Sequence, residues 1–402
     1  MKWVMLKKLI LENWKSFRYA ELPIDPLTVL IGTNASGKSN ALEALDFLSR
    51  IAHNKAFRES LTGDSTLPPL RGAVEGAVLK SKNQFTVKTL IQGENELTEY
   101  IYSITLQILP TLKLLDESLI RLEHYSQANQ DSNRTLLFQP NDLSSYNNSL
   151  LSFIDTVLPT DARVRNKDLD EGVRIVLKTL RNIFILDPIP SKMRFYSSLS
   201  ENLHSDASNI AGLLAAIPEG EKKYIEETLA SYIKHLPERD IRRVWAEPVG
   251  RLQTDAMLYC EEAWVPSEEP TVIDARGMSD GTLRFLAILT ALLTRPEGSQ
   301  LVIEEVDNGL HPSRADLLLK MLREIGEQRR IDILVTTHNP ALLNALEPEM
   351  LPFVIVAHRD SQTGESKLTP LEDLQNLPKL MASGPLGKLA EQGSIERSLS
   401  GT

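Results

Sequence analysis

The sequence predicts an α/β fold with an antiparallel β-subdomain and a long, mainly helical insertion. Three observations predict it. Short apolar runs at 27–31, 301–303 and 331–337 each end in a polar motif, the pattern of strands buried on both faces. Between about 70 and 110 three β-branched, partly alternating runs are separated by polar turns. From about 168 to 245 the apolar residues return at helical spacing between proline breaks.

Taken in order, residues 4–17 read as a strand with Leu6, Ile10 and Leu11 apolar, closing on Asn13-Trp14-Lys15-Ser16-Phe17. A second short strand follows at about 18–24, then the buried run 27–31. Ile31-Gly32-Thr33-Asn34-Ala35-Ser36-Gly37-Lys38-Ser39-Asn40 comes next and leads into a helix reaching about His53. Residues 54–69, with Gly63, Pro68 and Pro69, read as a loop. The runs 73–79, 85–91 and 100–106 read as an antiparallel meander with turns at 80–84 and 92–98. The Asn/Gln/Ser-rich stretch 126–149 reads as a loop. An amphipathic helix is expected over 170–183, a break at Pro188 and Pro190, then helices at 209–216 and 219–235. No heptads are sustained, so no long coiled-coil arm is expected. Residues 243–265 are strand-like, 274–280 a loop and 281–293 a strongly apolar helix. The buried strand 301–303, a helix at 314–328, the strand 331–337, a short helix at 340–346 and a last strand at 352–358 follow. From about 366 the proline- and glycine-rich tail reads as loosely packed, with one short helix near 386–399.

The stretch 32–39 has the form G-x-x-x-x-G-K-S between a strand and a helix, the context that gives this pattern meaning. Gly32 and Gly37 let successive N–H groups turn inward, and the helix N-terminus adds its dipole, so the loop suits an anion. Lys38 supplies a point charge for β- and γ-phosphates, and the Ser39 hydroxyl a ligand for Mg²⁺. Glu304 and Glu305 end the run 301–303, where ligands of α/β sheets lie; one can hold Mg²⁺ and the other orient a water. His338 ends the next buried strand and can bond a γ-phosphate oxygen. Ser279-Asp280-Gly281 opens the helix 281–293, a second polar helix start able to face an anion; without the other motifs it would read as a plain N-cap.

Composition sets limits. The 402 residues are 42% hydrophobic and 24% charged, enough for one large core or two modest ones. A net charge of −10 disfavours non-specific coating of nucleic acid. The single Cys260 excludes an internal disulfide and fits a reducing cytosol, so a cytoplasmic location is expected. Met1 to Lys8 does not read as a signal peptide, and the longest apolar stretch is far short of a membrane span.

In this order the motifs resemble those of the ABC-class ATPase heads of the SMC/RecF/OLD-like group, especially its stand-alone bacterial members, many of them in anti-phage defence. Gly-x-Asn-x-Ser-Gly-Lys-Ser-Asn at 32–40 is similar to the group's P-loop, Asn13 to Phe17 to its N-terminal stretch, Asn308-Gly309-Leu310-His311-Pro312 to its D-loop and Leu386-Gly387 to its ending. The resemblance implies a P-loop NTPase of ABC type, with a mixed sheet, a β-subdomain and an inserted helical lid. It implies that Gly32, Asn34, Ser36, Gly37, Lys38, Ser39 and Asn40 bind ATP, and that Ser39 and Glu304 hold Mg²⁺. Glu305 takes the catalytic-base place, His338 the switch place, and Ser279 with Gly281 the signature that caps the nucleotide of a partner protomer. A homodimer or higher homo-oligomer with ATP at the interface follows. Glu304 stands where Asp is usual, Asp280 where a second Gly is common, and for the Q-loop only Gln139 is offered.

The corresponding domains are 1–69, the N-terminal part of the ATPase lobe; 70–115, the β-subdomain; 116–269, the lid; 270–365, the C-terminal part of the lobe; and 366–402, the tail. About 240 residues separate Lys38 from Ser279, more than transporter ATPase subunits generally use. The stretch after His338 has no room for a TOPRIM nuclease domain, so cutting is expected to need a separate effector. The expected function is an ATP-driven sensor or switch in anti-phage defence. A RecF-like DNA repair ATPase is the alternative, using Arg239, Arg242, Arg243 and Arg251, or Arg163, Arg165 and Lys167; a non-hydrolysing ATP-binding scaffold is the third.

Overall fold

The computed structural model describes residues 5–124, 132–140, 146–151, 167–235, 241–263, 269–374 and 376–400. The strands are β1 (Leu6–Trp14), β2 (Phe17–Pro23), β3 (Leu27–Ile31), β4 (Gln84–Gln92), β5 (Thr98–Gln107), β6 (Lys113–His124), β7 (Ser132–Phe138), β8 (Ile183–Leu186), β9 (Ser197–Ser198), β10 (Ile241–Val249), β11 (Asp255–Glu262), β12 (Thr271–Asp274), β13 (Gln300–Ile303), β14 (Asp332–Thr337), β15 (Val354–Arg359) and β16 (Ser366–Pro370). The helices are α1 (Lys38–Ala52), α2 (Phe57–Thr62), α3 (Lys167–Arg181), α4 (Pro190–Met193), α5 (Ile210–Ala216), α6 (Glu219–Ile233), α7 (Asp280–Thr294), α8 (Ala315–Arg329), α9 (Pro340–Asn344), α10 (Leu377–Ala382), α11 (Leu386–Glu391) and α12 (Ser394–Ser400).

The central sheet has the order β16-β15-β3-β14-β13-β8. All its neighbours are parallel except β15 and β16. It is buried on both faces, and its residues alternate between two cores. Val29, Ile31, Leu301, Ile303, Ile333 and Val335 point into one, which also buries α7 and α8. Leu30, Val302, Leu334 and Ile355 point into the other, shared with α1 and the antiparallel sheet β2-β1-β4-β5-β6-β7. Two-sided burial is why these strands read as continuous apolar runs. A third sheet, β10-β11-β12 with β9 on β11, stands beside α5 and α6. No helix among the described residues is long and apolar enough to cross a membrane.

Several elements differ from the expectation. The loop 54–69 contains α2, whose Phe57 and Leu61 are buried. The run 73–79 is not a strand: Gly76 N–H bonds Gly72 C=O, a short 3₁₀ turn follows, and only Val78 bridges to Trp14. Its apolar spacing serves a helical turn as well as a strand. The meander runs through β4, β5, β6 and β7 instead; charges at Asp116, Glu117, Arg121 and Glu123 hide the alternation of β6, and polar Ser132 to Thr135 hide β7. The expected loop 126–149 thus contains a strand, and the rest of it lies partly outside the described residues. The helix expected to end at Ile183 ends at Arg181, and Ile183 opens β8, a four-residue strand too short to have its own period. The strand β12 occupies 271–274, just before the loop. The tail is packed: it forms β16, α10, α11 and α12, and buries Leu386, Leu389 and Ile395 in the core.

Candidate active site

Because β3, β14, β13 and β8 are parallel, their C-terminal ends share one edge of the sheet, where α/β folds bind ligands. That edge carries the glycine loop after Ile31, Glu304 and Glu305 after Ile303, His338 after Thr337 and Asp187 after Leu186. A cleft of about 630 Å³ opens there. Asn34, Ser36, Gly37, Lys38, Ser39, Asn40, Glu304 and Glu305 line it, joined by Arg71, Asp187, Asn308, Thr336 and Arg359. A smaller cavity of about 220 Å³ adjoins it, lined by Gly32, Asn34 and His338 on one side and by Glu391 and Glu396 of the tail on the other.

The geometry of the loop suits an anion. Gly37 has φ 117°, and a Cβ there would lie 2.6 Å from Ser366 Oγ. Behind it the Asn13 to Phe17 stretch braces α1: Trp14 Nε1 donates to Asn40 C=O at 2.7 Å, and Asn40 Nδ2 to Ser16 Oγ at 2.7 Å. Lys38 Nζ donates to the loop's own carbonyls, Gly32 at 2.6 Å and Thr33 at 2.9 Å. Burial pushes the Lys38 ammonium below its ordinary pKa, and the carboxylates of Glu305, Glu304 and Glu396 pull against that. Among the described residues Ser36 Oγ is buried without a hydrogen-bond partner. A loop with an unpartnered hydroxyl and a lysine bonded only to its own backbone fits a phosphate chain.

Opposite the loop, Glu304 accepts a hydrogen bond from the Ser39 hydroxyl. Ser39 and Glu304 would hold a Mg²⁺ ion between them, the donor set a hard cation takes. Arg71 Nη2 meets both Glu304 oxygens at 3.0 and 3.1 Å. Glu305 has φ 49°, a left-handed backbone held by its N–H bond to Thr336 Oγ1 at 2.8 Å. Such backbone is costly for a residue with a side chain and recurs at working sites. His338 Nδ1 stands 3.8 Å from Glu305 Oε1. Burial pushes the Asp187 carboxyl up; Arg284 and Arg71 oppose this, while Glu304 and Glu305 add to it.

Ser279 and Gly281 line neither cavity. Ser279 is the N-cap of α7, its Oγ accepting from Thr282 N–H at 3.1 Å. Gly281 is packed so closely that a Cβ would lie 2.6 Å from Arg314 Nη1 and 2.9 Å from Gly309 C=O. Gln139 is away from the cleft, its amide donating to Asp116 at 2.8 Å. The strand beside Glu304 ends instead in Asp187. Sequence reasoning had a signal for it, a short apolar run ending in a carboxylate as at Glu304, but had none for Arg71 or Arg359. Of the basic groups, Arg163, Arg165 and Arg239 lie outside the described residues; Arg242 and Arg243 are exposed on β10, and Arg243 lies over the Trp245 ring at 4.8 Å.

The chain is similar to several known proteins. The DNA replication and repair protein RecF of Rickettsia canadensis is 35% identical over 104 residues, which cover 25% of this chain and 28% of that one. An ATP/GTP phosphatase of Helicobacter pylori is 21% identical over 360 residues, 85% of this chain and 88% of that one. The structure of an SMC head bound to the C-winged helix domain of ScpA superposes with a TM-score of 0.50 at 16% identity, covering 91% of this chain and 97% of that one, a likeness of fold. The chain belongs to the family described as "AAA domain, putative AbiEii toxin, Type IV TA system", whose model matches residues 27–344, and its fold is that of the SMC/RecF-like ABC-class ATPase heads.

Proposed function

We propose that this chain binds ATP with Mg²⁺ in the cleft, hydrolyses it between two copies of itself, and acts as an ATP-driven switch. One observation carries the reading: Lys38, Ser39, Glu304 and Glu305 line a single cleft, while Ser279 and Gly281 line none of it. A signature set apart from its own P-loop suits a site completed by a second protomer. Lys38 and the loop N–H groups bind the phosphates. The cation, when bound, neutralises charge developing on the phosphate oxygens. Glu305, fixed by Thr336, orients the attacking water and takes its proton. His338, beside Glu305, distinguishes ATP from ADP by bonding the terminal phosphate. For the biological setting we carry the family resemblance: defence against phage, with a separate effector, such as a nuclease, released or activated when the heads close.

A second reading, a DNA repair ATPase, draws on the likeness to RecF, a DNA replication and repair protein. Arg242, Arg243 and Arg251 would then meet phosphates. A scaffold that binds ATP without turnover draws on Asp280 and Glu304. ATP turnover and solution mass, measured together with and without double-stranded DNA, separate the three. Expected are turnover by wild type, none by Lys38→Ala, and a larger ATP-bound species for Glu305→Gln. DNA-stimulated turnover would favour repair. Absent turnover with a mass indifferent to ATP would overturn the switch.

A further inference from the structure

We propose that Arg194 is the positioning residue of the signature: it shapes the loop before α7 and cancels the charge of Asp280. The inference rests on the reading that Ser279 and Gly281 meet the nucleotide of a partner copy. An acid in that position looks like a defect, since its carboxylate would stand near a polyphosphate. The structure supplies the compensation. Arg194 follows α4, far from α7 in sequence, and its Nη2 meets Asp280 Oδ1 at 2.5 Å. Its Nη1 takes three carbonyls of the same loop, Ala275 at 3.1 Å, Arg276 at 3.1 Å and Met278 at 2.6 Å.

These four contacts do two separate things. The three carbonyls end the segment that leads from β12 to Ser279, so one guanidinium sets the path by which Ser279 reaches its N-cap place. The fourth contact neutralises the one carboxylate in the signature. The side chain of Asp280 is 68% exposed and that of Arg194 only 25%, so the acid faces outward and the arginine backs it from within the fold. Asp280 is kept at no loss to the helix, because an acid in the first turn of α7 also favours the helix dipole. A lysine could not replace the arginine: it carries the charge but not the planar fork that reaches a carboxylate with one nitrogen and carbonyls with the other.

The test uses the full chain and three readouts: ATP turnover, ATP affinity of the protomer, and ATP-dependent mass in a Glu305→Gln background. Arg194→Ala should lower turnover roughly tenfold or more and weaken the larger species, with protomer affinity for ATP unchanged, because its target is the partner's nucleotide. Arg194→Lys should fall between. Asp280→Asn added to Arg194→Ala should recover part of the loss, a rescue that mere loosening of the loop would not allow. The proposal is overturned if Arg194→Ala behaves as wild type, if protomer affinity falls along with turnover, or if Asp280→Asn rescues nothing. Ser279→Arg separates this from the underlying reading. If Ser279→Arg abolishes assembly while Arg194→Ala does not, only the role of Arg194 fails. If Ser279→Arg leaves turnover and mass intact, the sandwich fails and the proposal with it.

Discussion

Arg71 is the cation that the chain itself brings to Glu304. Its Nη2 bridges both carboxylate oxygens, its backbone N–H donates to Glu43 at 2.9 Å, and Lys15 Nζ holds its carbonyl at 2.6 Å. An ion pair on Glu304 competes with any metal that uses the same oxygens. The guanidinium is 64% exposed, so its hold is weak, of the order of 0.5–1 kcal/mol. Arg71→Ala should therefore lower the Mg²⁺ concentration for half-maximal turnover by about two- to five-fold. An unchanged or raised Mg²⁺ requirement would show that Arg71 does not compete for Glu304. At the opposite end of the sheet stands Asp332, whose carboxyl is pushed up to about 7, first by burial and then by the Asp25 carboxylate. The unfolded carboxyl has an ordinary pKa near 3.8, so between about 4 and 7 the folded chain binds the extra proton. Stability from this group is thus full below about pH 4 and is lost as pH rises through about 7. Asp332→Asn should stabilise the protein at pH 8 by roughly 4 kcal/mol relative to its effect at pH 4 in urea unfolding. An effect independent of pH would remove Asp332 as the cause. Residue types and motifs made Lys38, Ser39, Glu304, Glu305 and His338 legible as a candidate site. Arg71 was not, since it reaches the cleft through the path of the chain and belongs to no motif; Asp187 ends an apolar run of only four residues, a signal too short to stand out.

Among elements, the strand-loop-helix unit was the most legible and is also the most tightly braced. Trp14 packs on Phe47 of α1 and Phe85 of β4, with centroids 5.7 and 4.8 Å away, and its indole N–H bonds the carbonyl of Asn40 in the first turn of α1. The aromatic triad joins the antiparallel sheet to the helix that carries Lys38. Trp14→Phe keeps most of the ring contact but takes the indole donor from a carbonyl that the helix still bonds, at a cost of about 0.5–1.5 kcal/mol; Trp14→Ala opens a cavity as well, at about 3–5 kcal/mol. Unfolding in urea should rank the two in that order, and a Trp14→Phe variant as stable as wild type would mean that the indole N–H contributes nothing. Elements with a long period or a continuous apolar run, such as α7, α8, β3 and β14, agree with the reading of the sequence to within a few residues. Those that differ are short or carry charge on a half-buried strand. β8 has four residues, and β6 buries Glu117 completely, which its bonds from Tyr102, Ser149 and the Leu150 and Leu151 N–H groups make tolerable. Neither periodicity nor composition reveals such partners, because they come from distant parts of the chain.

At the scale of the whole molecule, the cleft and the Ser279-Asp280-Gly281 turn sit at different places around the central sheet. The cleft lies at the strand ends, and the signature at the start of α7, whose body is buried in the core beneath. On the proposed reading, in which Ser279 and Gly281 meet the nucleotide of another copy, a complete site calls for two chains. This has a consequence that a single chain acting alone would not share. Lys38→Ala removes the P-loop's charge but leaves its signature intact; Ser279→Arg does the reverse. Each should be inactive as a homodimer. In a mixed dimer the intact P-loop of the Ser279→Arg chain faces the intact signature of the Lys38→Ala chain, and one of the two sites is whole. Mixing equal amounts makes half the dimers mixed, so turnover should return to about a quarter of wild type if the two sites work independently. If hydrolysis needs both sites at once, the mixture stays inactive, yet ATP should still hold the mixed pair together in a Glu305→Gln background. A mixture without turnover and without an ATP-dependent mixed species would mean that the site is completed within one chain, and that the distance between signature and P-loop has another purpose.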